Sequence, residues 1–302
     1  MALKAIFFIW IGYGIPSMFF SIVALYCIWR WKEFDAPFYR LVQCDLIINF
    51  IVYLHTWIKR ISTDDEISDI LIPVLINARF ILRVNDFFSQ AFYHLQSGSL
   101  LIKCAYRYSV ATKFVATSYW REKYLRIYLV VIFLSMCYTT PYAFASNLET
   151  VTYNATTNSL SYIPDRWGSW FWVMDLQCGL YIFVTVVIGI ITWRRIKNEW
   201  NSARAIRKRI TVMIIIDALL HILVWLWHFL PAYVDMSKNN RVAMLFYVSD
   251  MISCTTPYIL MFVDPLFRRT FLRRVFNWNP TPEVEPVQAP QSRAPSVSES
   301  RF

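Results

Sequence analysis

Seven apolar stretches, each long enough to cross a bilayer as a helix, divide this chain, and arginine and lysine collect in every second gap between them. A helix rises about 1.5 Å per residue, so roughly 20 apolar residues traverse a hydrocarbon core about 30 Å deep. The stretches run near Ala5 to Trp29, Pro37 to Ile58, Phe87 to Val110, Leu125 to Leu148, Gly168 to Thr192, Ile210 to Tyr233 and Ala243 to Leu266. A water-soluble domain of 302 residues with 57% hydrophobic and 18% aromatic side chains would carry more apolar surface than its interior can hold. The sequence therefore predicts an all-α membrane protein, a seven-transmembrane helix bundle spanning residues 1–278.

The charges orient it. The gaps after the first, third and fifth stretches, together with the tail, hold 22 of the 30 lysines and arginines. They comprise Arg30, Lys32 and Arg40, six residues from Lys103 to Arg126, seven from Arg194 to Arg209, and six after Leu266. The positive-inside rule then places the N-terminus outside and the C-terminus inside. The first stretch is too long and too uniformly apolar for the core of a cleaved signal, and reads as the first span. The third is the weakest, interrupted by Gln90, His94, Gln96, Ser97, Gly98, Ser99 and Lys103, yet without it the basic segment Lys103 to Arg126 would fall outside.

A sequon, Asn154, Ala155, Thr156, lies in a gap on the charge-poor side, where Asn154 is a candidate for glycosylation. The net charge of +10 flanks apolar spans on one membrane face, which favours the lipid bilayer as partner over nucleic acid. Residues 279–302 hold Pro280, Pro282, Pro286, Pro290 and Pro295 among Ser, Glu and Gln, a composition that predicts a disordered cytoplasmic tail.

Ionisable residues within a span are costly and should face protein or water. Asp45, Asp175, Asp217, Asp250 and Asp264 are of this kind. Asp45, Asn49 and Thr56 fall on one helical face, as a seam that either bonds helices together or forms a sodium- or water-linked switch. Asp217, His221 and His228 share a face too, but the four histidines form no metal-ligand pattern. No nucleophile with its base is in view, so the chain reads as no enzyme and needs no cofactor. Gln90, His94, Asp175, Trp225, His228 and Asp250 fall in the outer parts of their spans, where aromatic walls and a few polar groups suit a small-molecule site. A transporter or channel, with Asp45, Asn49, Asp217 and Asp250 carrying ions, is the alternative.

Three local patterns carry a resemblance. Leu41 to Leu46, with Asp45, resembles the second-helix pattern of rhodopsin-like receptors; Tyr106, Arg107, Tyr108 resembles their Asp-Arg-Tyr motif with the acid replaced; Thr256, Pro257, Tyr258 and then Asp264 to Phe271 resemble the seventh helix turning into a short helix 8. With Phe38, Tyr39, Arg40 and the run Arg107 to Trp120, the chain is similar to nematode serpentine chemoreceptors, class gamma above all. The resemblance implies a plasma-membrane receptor, in sensory cilia, for an external small molecule or pheromone, coupled to a heterotrimeric G protein. It assigns a sodium or water site to Asp45, coupling to Arg107, and a kink to Pro257, with Asn49 beside Asp45 in the same switch. With Tyr106 in place of the acid, it implies that Arg107 is held by another partner.

Overall fold

Large apolar side chains cover much of the outside of this protein, while charged and polar ones lie buried beside its apolar core. The computed structural model describes residues 2–63, 79–112, 117–144, 151–154, 159–162, 169–197, 203–229 and 238–278. Among them Asp45, Asn49, Arg60, His94, Gln96, Lys103, Arg107 and Asp250 are buried, while Phe8, Phe19, Phe133, Leu176, Phe183 and Phe262 are each at least 65% exposed. In water this distribution would cost on both counts; against lipid tails it satisfies both.

The helices are α1 (Ala2–Arg30), α2 (Pro37–Thr63), α3 (Arg79–Thr112), α4 (Thr117–Phe144), α5 (Ser169–Lys197), α6 (Ala203–Phe229), α7 (Lys238–Val263) and a short α8 (Pro265–Val275). Helices α1, α2, α3, α5, α6 and α7 close a ring, since α7 packs back on both α1 and α2. Helix α3 packs against α2, α4, α5 and α6. The chain is thus a helical bundle of the serpentine type. Among the described residues, four helices carry windows long and apolar enough to cross a membrane on their own: Phe8–Arg30, Pro37–Trp57, Leu176–Arg195 and Phe246–Val263. Helix α3 misses that mark because Gln90, His94, Gln96, Ser97, Ser99, Lys103 and Arg107 interrupt its apolar sequence. The tail from residue 279 lies outside the described residues.

Between α4 and α5 the chain forms an antiparallel pair of strands, β1 (Val151–Asn154) and β2 (Ser159–Tyr162), with Val151 opposite Tyr162 and Asn154 opposite Ser159. The sequence reading expected only a polar loop. Alternating Val151 and Tyr153, answered by Leu160 and Tyr162, gives the two-residue period a strand needs. Asn154 is the last residue of β1.

One end of the bundle is closed by aromatic packing. Phe34, in a 3-10 turn after α1 (Lys32–Phe34), meets Tyr39 and Phe267, while Phe271 meets Phe20. These contacts dock α8, whose Phe267 and Phe271 are buried and whose arginines lie outward. Asp264, read from sequence as an acid within the last span, instead separates α7 from α8. Its Oδ1 accepts from the Leu266 amide at 3.0 Å, an N-cap that starts the new helix, and its Oδ2 accepts from the Tyr39 hydroxyl at 2.6 Å. Arg274 reaches Glu33 at 3.1 Å, and Asp35 pairs with Arg40 at 3.1 Å and with Arg121. The hydrogen bond from Arg40 and the charge of Arg121 hold the Asp35 carboxyl below its usual range. That pairing contributes above the ordinary carboxylate pKa and is lost only as pH falls through the lowered value; because Asp35 is exposed, its contribution is small.

Close approach of α1 to α2 depends on Gly14. A Cβ there would fall 1.7 Å from the hydroxyl oxygen of Tyr53, which is buried. Gly14→Ala should therefore destabilise the bundle by about 1–3 kcal/mol through overpacking, read as a lower unfolding midpoint in detergent. An unchanged midpoint would show that Tyr53 swings aside freely.

Candidate functional site

A stripe of polar residues runs down the inward face of α3 at three- and four-residue intervals: Gln96, Ser99, Lys103 and Arg107. Such spacing stacks side chains on one helical face. The ammonium of Lys103, 4% exposed, lies 2.9 Å from Asp45 of α2 and 2.6 Å from Asp217 of α6. One cation thus binds two acids from two helices, and two attractions offset its desolvation.

Both oxygens of Asp45 accept further hydrogen bonds. Asp45 Oδ1 accepts from Ser99 at 2.6 Å, and Oδ2 accepts from Asn49 and from Thr256 of α7. Gln96 donates to Asn49 Oδ1 at 2.8 Å and to Ser253 at 3.2 Å. The Ser99 and Tyr128 hydroxyls lie 2.9 Å apart, which brings in α4. A network through α2, α3, α4, α6 and α7 results. Beside it is a cavity of about 10 Å³, room for one water, lined by Asp45, Lys103, Asp217, His221 and Thr256 among others. Among the described residues His221 Nε2 has no hydrogen-bond partner, while its Nδ1 lies 2.8 Å from the Asp217 carbonyl.

Asp45 and Asn49 therefore share a seam as the sequence predicts, but Thr56 does not join it, since its hydroxyl donates to the Tyr53 carbonyl of its own helix. The position that the receptor resemblance gives to sodium holds the Lys103 ammonium. Lys103 was also counted among the membrane-flanking charges; it belongs to the interior. Pro257 lies inside α7 immediately after Thr256, where its missing N–H frees the Ser253 carbonyl from the helix ladder.

Towards α8, Arg107 is 3% exposed and donates from Nε to the Thr211 hydroxyl of α6 at 3.2 Å. Tyr106, in the place of the acid, turns away to pack between Phe38 and Trp120. Trp120 in turn donates to Ser109 at 2.7 Å, which fixes the start of α4 against the end of α3.

At the opposite end, the residues proposed for ligand contact separate into two groups. His94 is buried against the Tyr138 ring of α4, with Cys178 of α5 3.8 Å from its Nδ1, and its Nε2 is without a partner among the described residues. Trp225 of α6 lies over Gly179, where a Cβ would come within 3.0 Å of the indole. His94 and Trp225 thus converge on neighbouring residues of α5. Gln90 is half-buried one turn before His94. Asp175 and His228 lie on α5 and α6, but their side chains are outside the described residues.

Asp250 does not join that group, because its partners come from α1 and α2. It forms an ion pair with Arg60 and accepts from the Tyr13 hydroxyl. The Arg60 guanidinium is fully buried, with its carbon 4.9 Å from the Trp10 ring centre, 5.4 Å from Tyr53, 5.0 Å from Trp57 and 5.2 Å from Phe246. Neither Arg60 nor Tyr13 was singled out from sequence. The available signal was the aromatic spacing: Tyr53, Trp57 and Arg60 recur at helical intervals on α2. Asp217, His221 and Asp250 form no metal-binding group of three with any His, Cys, Asp or Glu among the described residues.

Comparison with known proteins agrees with this architecture. The Srg family chemoreceptor profile matches residues 7–271. Serpentine receptor class gamma-53 of Caenorhabditis elegans is 25% identical over 274 residues, covering 85% of this chain and 87% of that protein. Serpentine receptor class gamma-47 of the same organism is 22% identical over 287 residues, covering 87% and 88%. An integral multi-pass membrane bundle whose whole helical region matches that profile belongs to the Srg family of chemoreceptors.

Proposed function

We propose that this chemoreceptor is G-protein-coupled, with the N-terminus outside, in the plasma membrane of sensory cilia, and with Asn154 glycosylated. An external small molecule or pheromone enters among Gln90, His94, Asp175, Trp225 and His228, and binds one of two helix packings more tightly. Only that difference in affinity drives the switch. One observation carries the reading. The α3 stripe begins one helical turn or less from His94 at Gln96 and ends at Arg107, with partners on α2, α6 and α7.

In this mechanism Thr211 is the alternative lock for Arg107. Separation of α6 from α3 breaks that bond and frees the guanidinium for the G protein at the end formed by α8. Asp45, Asn49 and Pro257 set the energy difference between the two packings, Asp45 through Lys103 and Pro257 through the free carbonyl in α7.

Expression of the tagged receptor, a screen of volatile and polar metabolites, and readout of calcium or cAMP test this. Arg107→Ala should abolish the ligand response at unchanged surface level. Thr211→Val should raise basal signalling about tenfold, since a hydrogen bond to a charged group contributes about 1.5 kcal/mol or more. A full response from Arg107→Ala would refute the coupling role.

A further inference from the structure

The Arg60 guanidinium lies where a ligand would. Four aromatic rings surround it, and one carboxylate, held from its far side by Tyr13, neutralises it. Ring faces attract cations, and a cage of several rings with a counter-carboxylate is selective for organic cations over neutral molecules. The cage is built from three helices: Trp10 and Tyr13 on α1, Tyr53 and Trp57 on α2, Phe246 and Asp250 on α7. Its occupant comes from the last turn of α2, three residues before that helix ends at Thr63.

We propose that this cage is a recognition site for a small organic cation, a guanidinium or alkylammonium group, and that Arg60 is a tethered occupant which the ligand replaces. Charge conservation decides the ligand class. Exchanging one buried cation for another leaves Asp250 neutralised at every stage of the bound state. A neutral or anionic ligand that displaced Arg60 would leave a carboxylate buried without a counterion, which is far more costly. Withdrawal of Arg60 needs only a change in the end of α2, whereas withdrawal of Asp250 would need rotation of α7. The inference rests on the chemoreceptor reading for its purpose, since exchange would loosen α2 from α7 and so reach Asn49 and Thr256. The site itself is independent of any signalling output.

The test uses methylguanidinium as the cation and methylurea as its neutral isostere, on the purified full-length receptor in detergent. Methylguanidinium at low millimolar concentration should raise the unfolding midpoint of Arg60→Ala, and methylurea should not. The wild type should bind methylguanidinium at least about tenfold more weakly, because the tethered side chain competes at high effective concentration. The double variant Arg60→Ala, Asp250→Asn should show no response. Should Arg60→Ala fail to fold, its purification in methylguanidinium is the same test, with recovery of folded receptor expected. Equal effects of the two solutes, an effect that persists in the double variant, or no recovery by the cation would overturn the proposal. None of these readouts involves a G protein, so loss of coupling and loss of this site are told apart.

Discussion

Lys103→Met should lower the stability of the bundle by about 3–5 kcal/mol, the cost of leaving a buried charge without its partner. The substitution keeps the volume and removes the ammonium, so Asp45 and Asp217 lose the cation they share at 2.9 and 2.6 Å. Both acids are then left buried without a cation, although Ser99, Asn49 and Thr256 still donate to Asp45. Adding Asp217→Asn to Lys103→Met should recover part of the loss, because one uncompensated carboxylate is removed. Thermal unfolding in detergent, followed by intrinsic fluorescence, measures both. A Lys103→Met receptor as stable as the wild type would show that the ammonium does not hold the acids together.

Asp250→Ala should cost a similar amount, about 3–5 kcal/mol, from the other side of an ion pair. Here the orphan is a guanidinium, and its four rings compensate only in part, at about 0.5–2 kcal/mol for each well-placed contact. Tyr13 loses its acceptor at the same time. Because the two residues act as one unit, Arg60→Met combined with Asp250→Ala should lose clearly less than the two single losses added together. Additive losses in that cycle would mean that Arg60 and Asp250 are stabilised by separate surroundings.

The bundle was legible because lipid imposes a simple rule: helices must be long and apolar, and loops carry the charge. Its interior was legible only in part. Asp45 and Asn49 could be placed on one face from their four-residue spacing, since that is a property of a single helix. Lys103 and Arg60 could not be assigned in the same way, because their partners come from other helices more than fifty residues away. Read along the chain, a lysine near a span's end looks like a topology signal, whereas in the fold it is the centre of a network. Asp264 was misplaced for the opposite reason: a following proline both breaks α7 and starts α8, and the cap geometry that shows this is local. The strands β1 and β2 were missed because four-residue runs are too short to stand out from a loop.

The most direct test of a receptor coupled through the α3 stripe is nucleotide exchange by a heterotrimeric G protein in liposomes containing only this chain. With an activating metabolite from the cell screen, exchange should rise with the wild type and stay at the basal rate with Arg107→Ala. The same liposomes, loaded with an ion-sensitive dye, should show no flux. Exchange that is independent of ligand and Arg107, together with flux that disappears in Asp45→Asn, would contradict the account and make the buried carboxylates a transport path.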